Sequence, residues 1–251
     1  MMHCLEEMKP TIIRLKETDS TNSHLRELLS REALSEFTVV TTEFQSSGRG
    51  QRGNSWESEE GKNLLFSVLL KPHFVPARSQ FLISQVSSLA VKESLDQFAT
   101  GFSIKWPNDI YWNEKKICGM LIENDLAGNM LSESIPGIGV NINQDAFISD
   151  APNPVSLRNI TGETHDCNEV LAGILHLLYY YYGLLQRGET EVISKRYHDS
   201  LFRKEGFHLY ADNNCLFSAR IVRIEPDGRL ILCTEAGEER GYLFKEVRCV
   251  L

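Results

Sequence analysis

The sequence predicts an α+β fold: a mixed β-sheet with flanking helices, followed by a small β-barrel. Two observations carry that reading. Between Thr11 and Asn143, strand-like runs cluster around two segments of helical spacing instead of alternating regularly with helices. The C-terminal fifth then alternates apolar and polar residues between the turns "DNN", "PDG" and "EAGE", the pattern of a meander of short strands. A chain of 251 residues accommodates one large unit and one small one, and the boundary is set at Lys204, giving 1–203 and 204–251.

In chain order, "TIIRLKE" (11–17) reads as a strand. "DSTNSHLRELLSREAL" (19–34) offers hydroxyl and Asn caps ahead of Leu25, Leu28, Leu29 and Ala33, so a helix follows. "FTVVTTEF" (37–44) is β-branched and leads into a glycine loop, and "NLLFSVLLKP" (63–72) is a strand ended by proline. Residues 78–99 space Phe81, Ile83, Val86, Leu89, Ala90, Leu95 and Phe98 as a helix does. Four strands come next ("FSIKW", "DIYWN", "KICGMLIEN" and "SESIPGIGVNIN"), then helices near 166–187 and 189–202.

Hydrophobic content of 42% and charged content of 24% suit a globular protein. A formal net charge of −8 without a long basic run disfavours a partner held by phosphate neutralisation, so no DNA binding is expected. The first ten residues, "MMHCLEEMKP", lack the apolar stretch of a secretory signal. "LAGILHLLYYYYGLL" (171–185) falls short of the roughly 20 apolar residues of a membrane span and reads as a partly buried helix. The six cysteines are widely spaced, with no C-x-x-C and no His/Cys cluster. Free thiols in a cytoplasmic setting, and no protein-held metal, are the expectation.

"GRGQRGNSW" (48–56) satisfies G-x-G-x-x-G, the fingerprint of dinucleotide sites. That fingerprint needs a helix opening on the loop and an acidic residue about 20 positions on. Here a polar turn leads into another strand, and the later position falls in "LKPHF". A Walker loop fails as well, because Trp56 and Asn63 stand where glycine and Ser/Thr belong. The loop keeps open backbone N–H groups and two cations, Arg49 and Arg52, which suit an anion.

Downstream, "KWPND" (105–109) sets Lys105 at a strand end before a turn, and "GIGVNIN" (137–143) allows close backbone approach at Gly137 and Gly139. Taken in order, "DSTN" (19–22), Gln45 to Trp56, "KWPND", "KICGMLIE" and "GIGVNIN" resemble the biotin–protein ligases of the biotin–lipoate ligase superfamily. The resemblance spans roughly residues 10 to 145. It implies a catalytic domain similar to class II aminoacyl-tRNA synthetases and an SH3-like C-terminal barrel. The implied reaction activates biotin with ATP-Mg²⁺ to biotinyl-5′-AMP and transfers biotin to a lysine of a biotin carboxyl carrier domain. A homodimer is compatible with this reading.

By resemblance, Ser20, Thr21, Asn22 and Gln45 line the site for the ureido ring. Arg49, Gly50 and Gln51 lie on the loop that closes over biotin and phosphate. Gly119, Gly137 and Gly139 approach biotin, the last two also bordering the nucleotide. Lys105 meets the carboxylate and the α-phosphate, and with Arg49 supplies the catalytic charge. Arg52, Asn54, Trp56, Asn108, Asp109 and Asn141 face the adenylate. Fixed positive charge is what in-line attack of a carboxylate on ATP requires. A closing loop then shields the mixed anhydride from water. A lipoate or octanoate ligase of the same superfamily would carry a different glycine motif and lack the "GRG…GNSW" loop. For a non-catalytic biotin sensor, an intact Lys105 is unexpected.

Two departures from the family pattern matter. The first strand begins near Thr11, where no operator-binding winged helix fits ahead of it. Gln51 stands where the family commonly has arginine, and a neutral amide bonds a phosphate roughly half as strongly as a charged donor. Arg52, its neighbour, is then the substitute partner for the adenylate phosphate. Accordingly, Gln51→Arg should slow release of labelled biotinyl-adenylate in a single-turnover chase, and Arg52→Ala should hasten it. Unchanged release from Arg52→Ala would remove Arg52 from the site.

Overall fold

The β-branched runs between Ile12 and Val140 assemble into one seven-stranded sheet in the computed structural model, which describes residues 10–50, 55–148 and 153–250. Its strands are β1 (Ile12–Thr18), β2 (Val39–Gln45), β3 (Leu64–Val68), β4 (Phe102–Lys105), β5 (Asp109–Trp112), β6 (Lys115–Ala127) and β7 (Met130–Val140). Their spatial order is β1-β2-β3-β7-β6-β5-β4. Strands β1 and β2 run parallel, joined by the crossover helix α1 (Thr21–Arg31), and every other neighbouring pair is antiparallel. The sheet is therefore mixed, as expected.

The alternation of side chains divides this sheet into two unlike faces. Leu64, Phe66 and Val68 of β3 and Ile138 and Val140 of β7 point into the main core. That core is closed by α2 (Phe81–Leu95), α4 (Cys167–Gln186) and α5 (Thr190–Asp199). A short helix unmarked by the sequence pattern, α3 (Leu157–Thr161), leads into α4 and is held by a reciprocal Ser156–Asn159 capping box. On the opposite face, α1 covers one end of the sheet by burying Leu25 against Val40, Leu69 and Ile135. The rest of that face presents Ser67, Gly119, Gly137 and Gly139, which are register neighbours across β3, β7 and β6. Little side-chain volume stands there, and a hollow remains.

Helix α1 starts at Ser20 without a side-chain cap bond, which corrects the capping expected from "DSTN". Asp19 instead accepts from the Ser20 backbone N–H at 2.6 Å, and Thr21 and Asn22 turn toward the hollow. The segment 171–185 lies within α4 and is partly buried, and no described helix is long and apolar enough to cross a membrane.

Residues 208–249 form a second sheet from β8 (His208–Asp212), β9 (Leu216–Ile224), β10 (Leu230–Thr234), β11 (Glu239–Tyr242) and β12 (Val247–Cys249). Its order is β11-β10-β9-β8-β12, with all pairs antiparallel. The expected barrel is thus an open sheet. Closure would require β11 to ladder onto β12, but β12 is three residues long and spends them on β8, leaving an isolated bridge between Phe244 and Val247. This sheet packs on the larger one through a shared core: Tyr210, Ile221, Leu230, Leu232, Tyr242 and Val247 belong to the same apolar cluster as α2 and α4. The "PDG" turn seals the junction. Trp106 Nε1 donates to Gly228 O at 2.9 Å, and the Trp106 and Phe244 rings meet edge to face at 6.1 Å.

Gly228 has φ +91°, and a Cβ there would lie 2.7 Å from the Phe81 ring. Gly237 has a similar φ of +82° but open space around it. Gly237→Ala should therefore cost only the backbone strain, about 1 kcal/mol, and Gly228→Ala roughly 2–3 kcal/mol. Urea midpoints of the two variants, compared with wild type, measure the difference.

Candidate active site

The hollow over the glycine face deepens into a cavity of about 1030 Å³ between the large sheet and the C-terminal one. Drug-sized ligands occupy pockets of roughly 300–1,000 Å³, so this one has room for two joined small molecules.

One end is polar and tightly bonded. The Thr21 backbone N–H donates to Gln45 Oε1 at 2.8 Å, and the Thr21 hydroxyl reaches the same oxygen at 3.2 Å. Buried Ser67 stands between Thr21 Oγ1 (2.7 Å) and Asn22 Oδ1 (2.5 Å). A Cβ on Gly137 would overlap Asn22 Oδ1, so only glycine lets the amide lie against the strand. These groups form a fixed set of donors and acceptors suited to a small polar ring.

The middle of the cavity is a floor without side chains. Gly119 and Gly139 face each other across β6 and β7, and the Trp56 indole lies on both. A Cβ would come within 2.8 Å of the ring at Gly119 and 2.6 Å at Gly139. Trp56 is placed there by the base of the glycine loop: its N–H donates to Gly48 O at 2.9 Å, and Arg49 and Ser55 form an antiparallel bridge. Its Nε1 is buried with no hydrogen-bond partner among the described residues, as is Asn141 Oδ1 nearby in the cavity wall. Two such orphaned polar atoms in one cavity mark places where a ligand can supply the missing partners.

Positive charge lines the far side. Lys105 donates to the Tyr111 hydroxyl at 3.0 Å and lies over its ring at 4.7 Å. Burial lowers the Lys105 pKa, partly opposed by the Asp109 charge, and burial with the Asp109 charge pushes the Tyr111 phenol up to about 12. Lys116, which sequence reasoning missed, pairs with Asp109 at 2.8 Å and runs over Gly119 toward the Trp56 ring. Regular alternation would put Lys116 on the face opposite Gly119. A bulge reverses this: Ile110 pairs with Cys118 and Tyr111 with Lys116, leaving Ile117 extra. Ile117 and Cys118 are both fully buried, and Lys116 swings to the cavity. The consecutive apolar pair after two lysines in "KKICG" was the available signal.

The structure brings together Ser20, Thr21, Asn22, Gln45, Arg49, Gly50, Trp56, Lys105, Asn108, Asp109, Gly119, Gly137, Gly139 and Asn141 around this one cavity. Gln51, Arg52 and Asn54 lie outside the described residues. Tyr210, Phe244 and Arg248 also line the cavity, so the C-terminal sheet supplies a wall that the sequence motifs did not indicate, and Phe202, just before that sheet, adds to it. No group of three or more metal-ligating side chains occurs among the described residues.

Residues 15–141 match the model of the biotin/lipoate A/B protein ligase family. The chain belongs to this family. It is 30% identical to the bifunctional ligase/repressor BirA of Bacillus spizizenii over 94% of its own length and 74% of that protein's. It is 34% identical to a biotin–[acetyl-CoA-carboxylase] ligase of Paracoccus denitrificans over 62% and 67% of the two lengths. Among solved structures, the biotin protein ligase of Aquifex aeolicus in complex with biotin and ATP superposes with a TM-score of 0.78 at 28% identity, covering 96% of this chain and 99% of that one. In this family member the glycine floor explains the spacing of "GIGVN": residues 137 and 139 share the cavity face while Ile138 and Val140 enter the core.

The floor makes a direct prediction. Gly139→Val should expel the Trp56 indole into solvent and red-shift tryptophan emission, and the shift should vanish in a Trp56→Phe background. An unshifted spectrum would show that the ring does not rest on the floor.

Proposed function

We propose that this chain is a biotin–protein ligase: it joins biotin to AMP from ATP, releases pyrophosphate, and passes biotin to a lysine of a biotin carboxyl carrier domain. The observation that carries the reading is the single cavity with a polar ring-binding end, a glycine floor and a cationic side, in the order the two half-substrates require. The bound biotin and ATP of the Aquifex aeolicus ligase support it.

In this reading Thr21, Asn22, Gln45 and Ser20 hold the ureido ring. Gly119, Gly137 and Gly139 serve biotin by keeping the floor low, so that the Trp56 indole and the Asn22 amide lying on it form the surface that the bicyclic body and chain meet. Lys105 and Lys116 flank the point where the carboxylate meets the α-phosphorus of MgATP. Both are positive where negative charge accumulates, which lowers the barrier without proton transfer. Asn108, Asp109 and Asn141 border the nucleotide, and the orphaned Asn141 Oδ1 offers an acceptor for an adenine amino group. Arg49 stands at the rim, paired with Ser23 Oγ (3.1 Å) and Glu123 (3.6 Å), where its charge is available to the adenylate phosphate. Residues 204–251 act as an accessory domain that walls the nucleotide side. The five described cysteines are free thiols, which suits a cytoplasmic location.

Exchange of labelled pyrophosphate into ATP should depend on biotin and not on lipoate, and lipoate-driven exchange would move the chain to the lipoate branch. Lys105→Ala should lower the biotin-dependent rate about 10²–10³-fold with an unchanged melting temperature. Because burial lowers the Lys105 pKa, its charge is lost as pH rises through that lowered value. The alkaline limb of kcat/KM should therefore fall below the ordinary lysine range.

A further inference from the structure

One carboxylate on the floor strand stands outside the cavity yet touches two of its parts. Glu123 follows Gly119 and Leu121 on β6 and faces the same way. Its Oε2 accepts from Asn22 Nδ2 at 3.0 Å, and its Oε1 lies 3.6 Å from Arg49 Nη1. Arg26 approaches it at 4.0 Å while held by Asp125 at 2.7 Å. Helix α1, the glycine loop and the floor strand are thus tied at one side chain.

The Asn22 amide has two unlike ends, and its surroundings distinguish them. Its two N–H groups go to Leu121 O (3.2 Å) and Glu123 Oε2 (3.0 Å), and its oxygen lies 2.5 Å from Ser67 Oγ against Gly137. A flipped amide would press its oxygen against a carbonyl and a carboxylate, neither of which can donate. The carboxylate contact is the stronger of the two, because it carries a full charge. In the observed orientation the capacity that Asn22 retains toward the cavity is an acceptor lone pair on Oδ1.

We propose that Glu123 is a positioning residue: it locks the Asn22 amide with its oxygen toward the cavity, so that the site selects the N–H edge of a cyclic urea, and it parks Arg49 at the rim. This deepens the biotin reading and rests on it for the identity of the ring. Glu123 acts through Asn22 and Arg49 and touches no substrate.

The test compares direct binding of biotin with binding of an analogue in which a ureido N–H is replaced by oxygen, using calorimetry on the full chain. In wild type, biotin should bind more than tenfold better than the analogue. In Glu123→Ala, biotin affinity should fall about tenfold, the scale of one charge-assisted hydrogen bond. The analogue should be little affected, so discrimination collapses while the KM for ATP stays within about threefold, a selectivity effect that a general loss of structure does not produce. Glu123→Gln keeps an acceptor for Asn22 and should keep the discrimination, but it loses the ion pair and should release biotinyl-adenylate faster. Wild-type-like discrimination by Glu123→Ala overturns the proposal. If that variant fails to fold by circular dichroism, loss of discrimination in Glu123→Gln overturns it instead. Wild type that discriminates through Glu123 but supports no biotin-dependent exchange would refute the ligase reading and leave the positioning role standing.

Discussion

An antiparallel sheet face normally bristles with side chains, and everything in this molecule's function depends on three positions where it does not. Gly119, Gly137 and Gly139 leave bare backbone in the middle of the large sheet, flanked by strands whose other face is fully packed. The bareness is asymmetric by necessity: the period of two sends Ile138 and Val140 into the core, and their burial pins the register that keeps the glycines outward. A rigid floor follows from a well-packed underside. Preorganised sites need this kind of support, since the groups around the reacting atoms must hold position without reorganising.

On that floor the site is assembled from segments distant in sequence, each brought by a different device. The crossover from β1 to β2 delivers the start of α1, and its first residues serve the cavity in place of capping the helix. The end of β4 delivers Lys105, and the turn after it carries Trp106 out to the C-terminal sheet. A bulge delivers Lys116. The C-terminal sheet, sharing one apolar core with the helices, supplies the last wall. That sharing couples the wall's position to the packing of α2 through Phe81 and Gly228.

The motifs "DSTN", "KWPND" and "GIGVN" were legible because each combines a special backbone requirement with a polar group, and the glycine spacing of 137 and 139 maps directly onto one sheet face. The long helices were legible from their apolar spacing. What sequence reasoning missed depended on tertiary geometry. Alternation in residues 208–249 announces strands but says nothing of closure, which here fails on the shortness of β12. A hydroxyl ahead of a helix announces a cap, but Ser67 and Gln45, distant in the chain, decide what Thr21 and Asn22 bond. The direction of Lys116 follows a rule of two that one extra residue suspends.

That extra residue gives the segment an unusual relation to chain length. Side-chain identities at Lys115, Ile117 and Cys118 can vary as long as the core is filled. Their number is held by the core and not by the cation: without Ile117, regular pleating would still keep Lys116 on the face of Gly119, two residues away, but one of two adjacent buried apolar side chains would be gone. A deletion here should therefore cost core packing while leaving the cavity its charge.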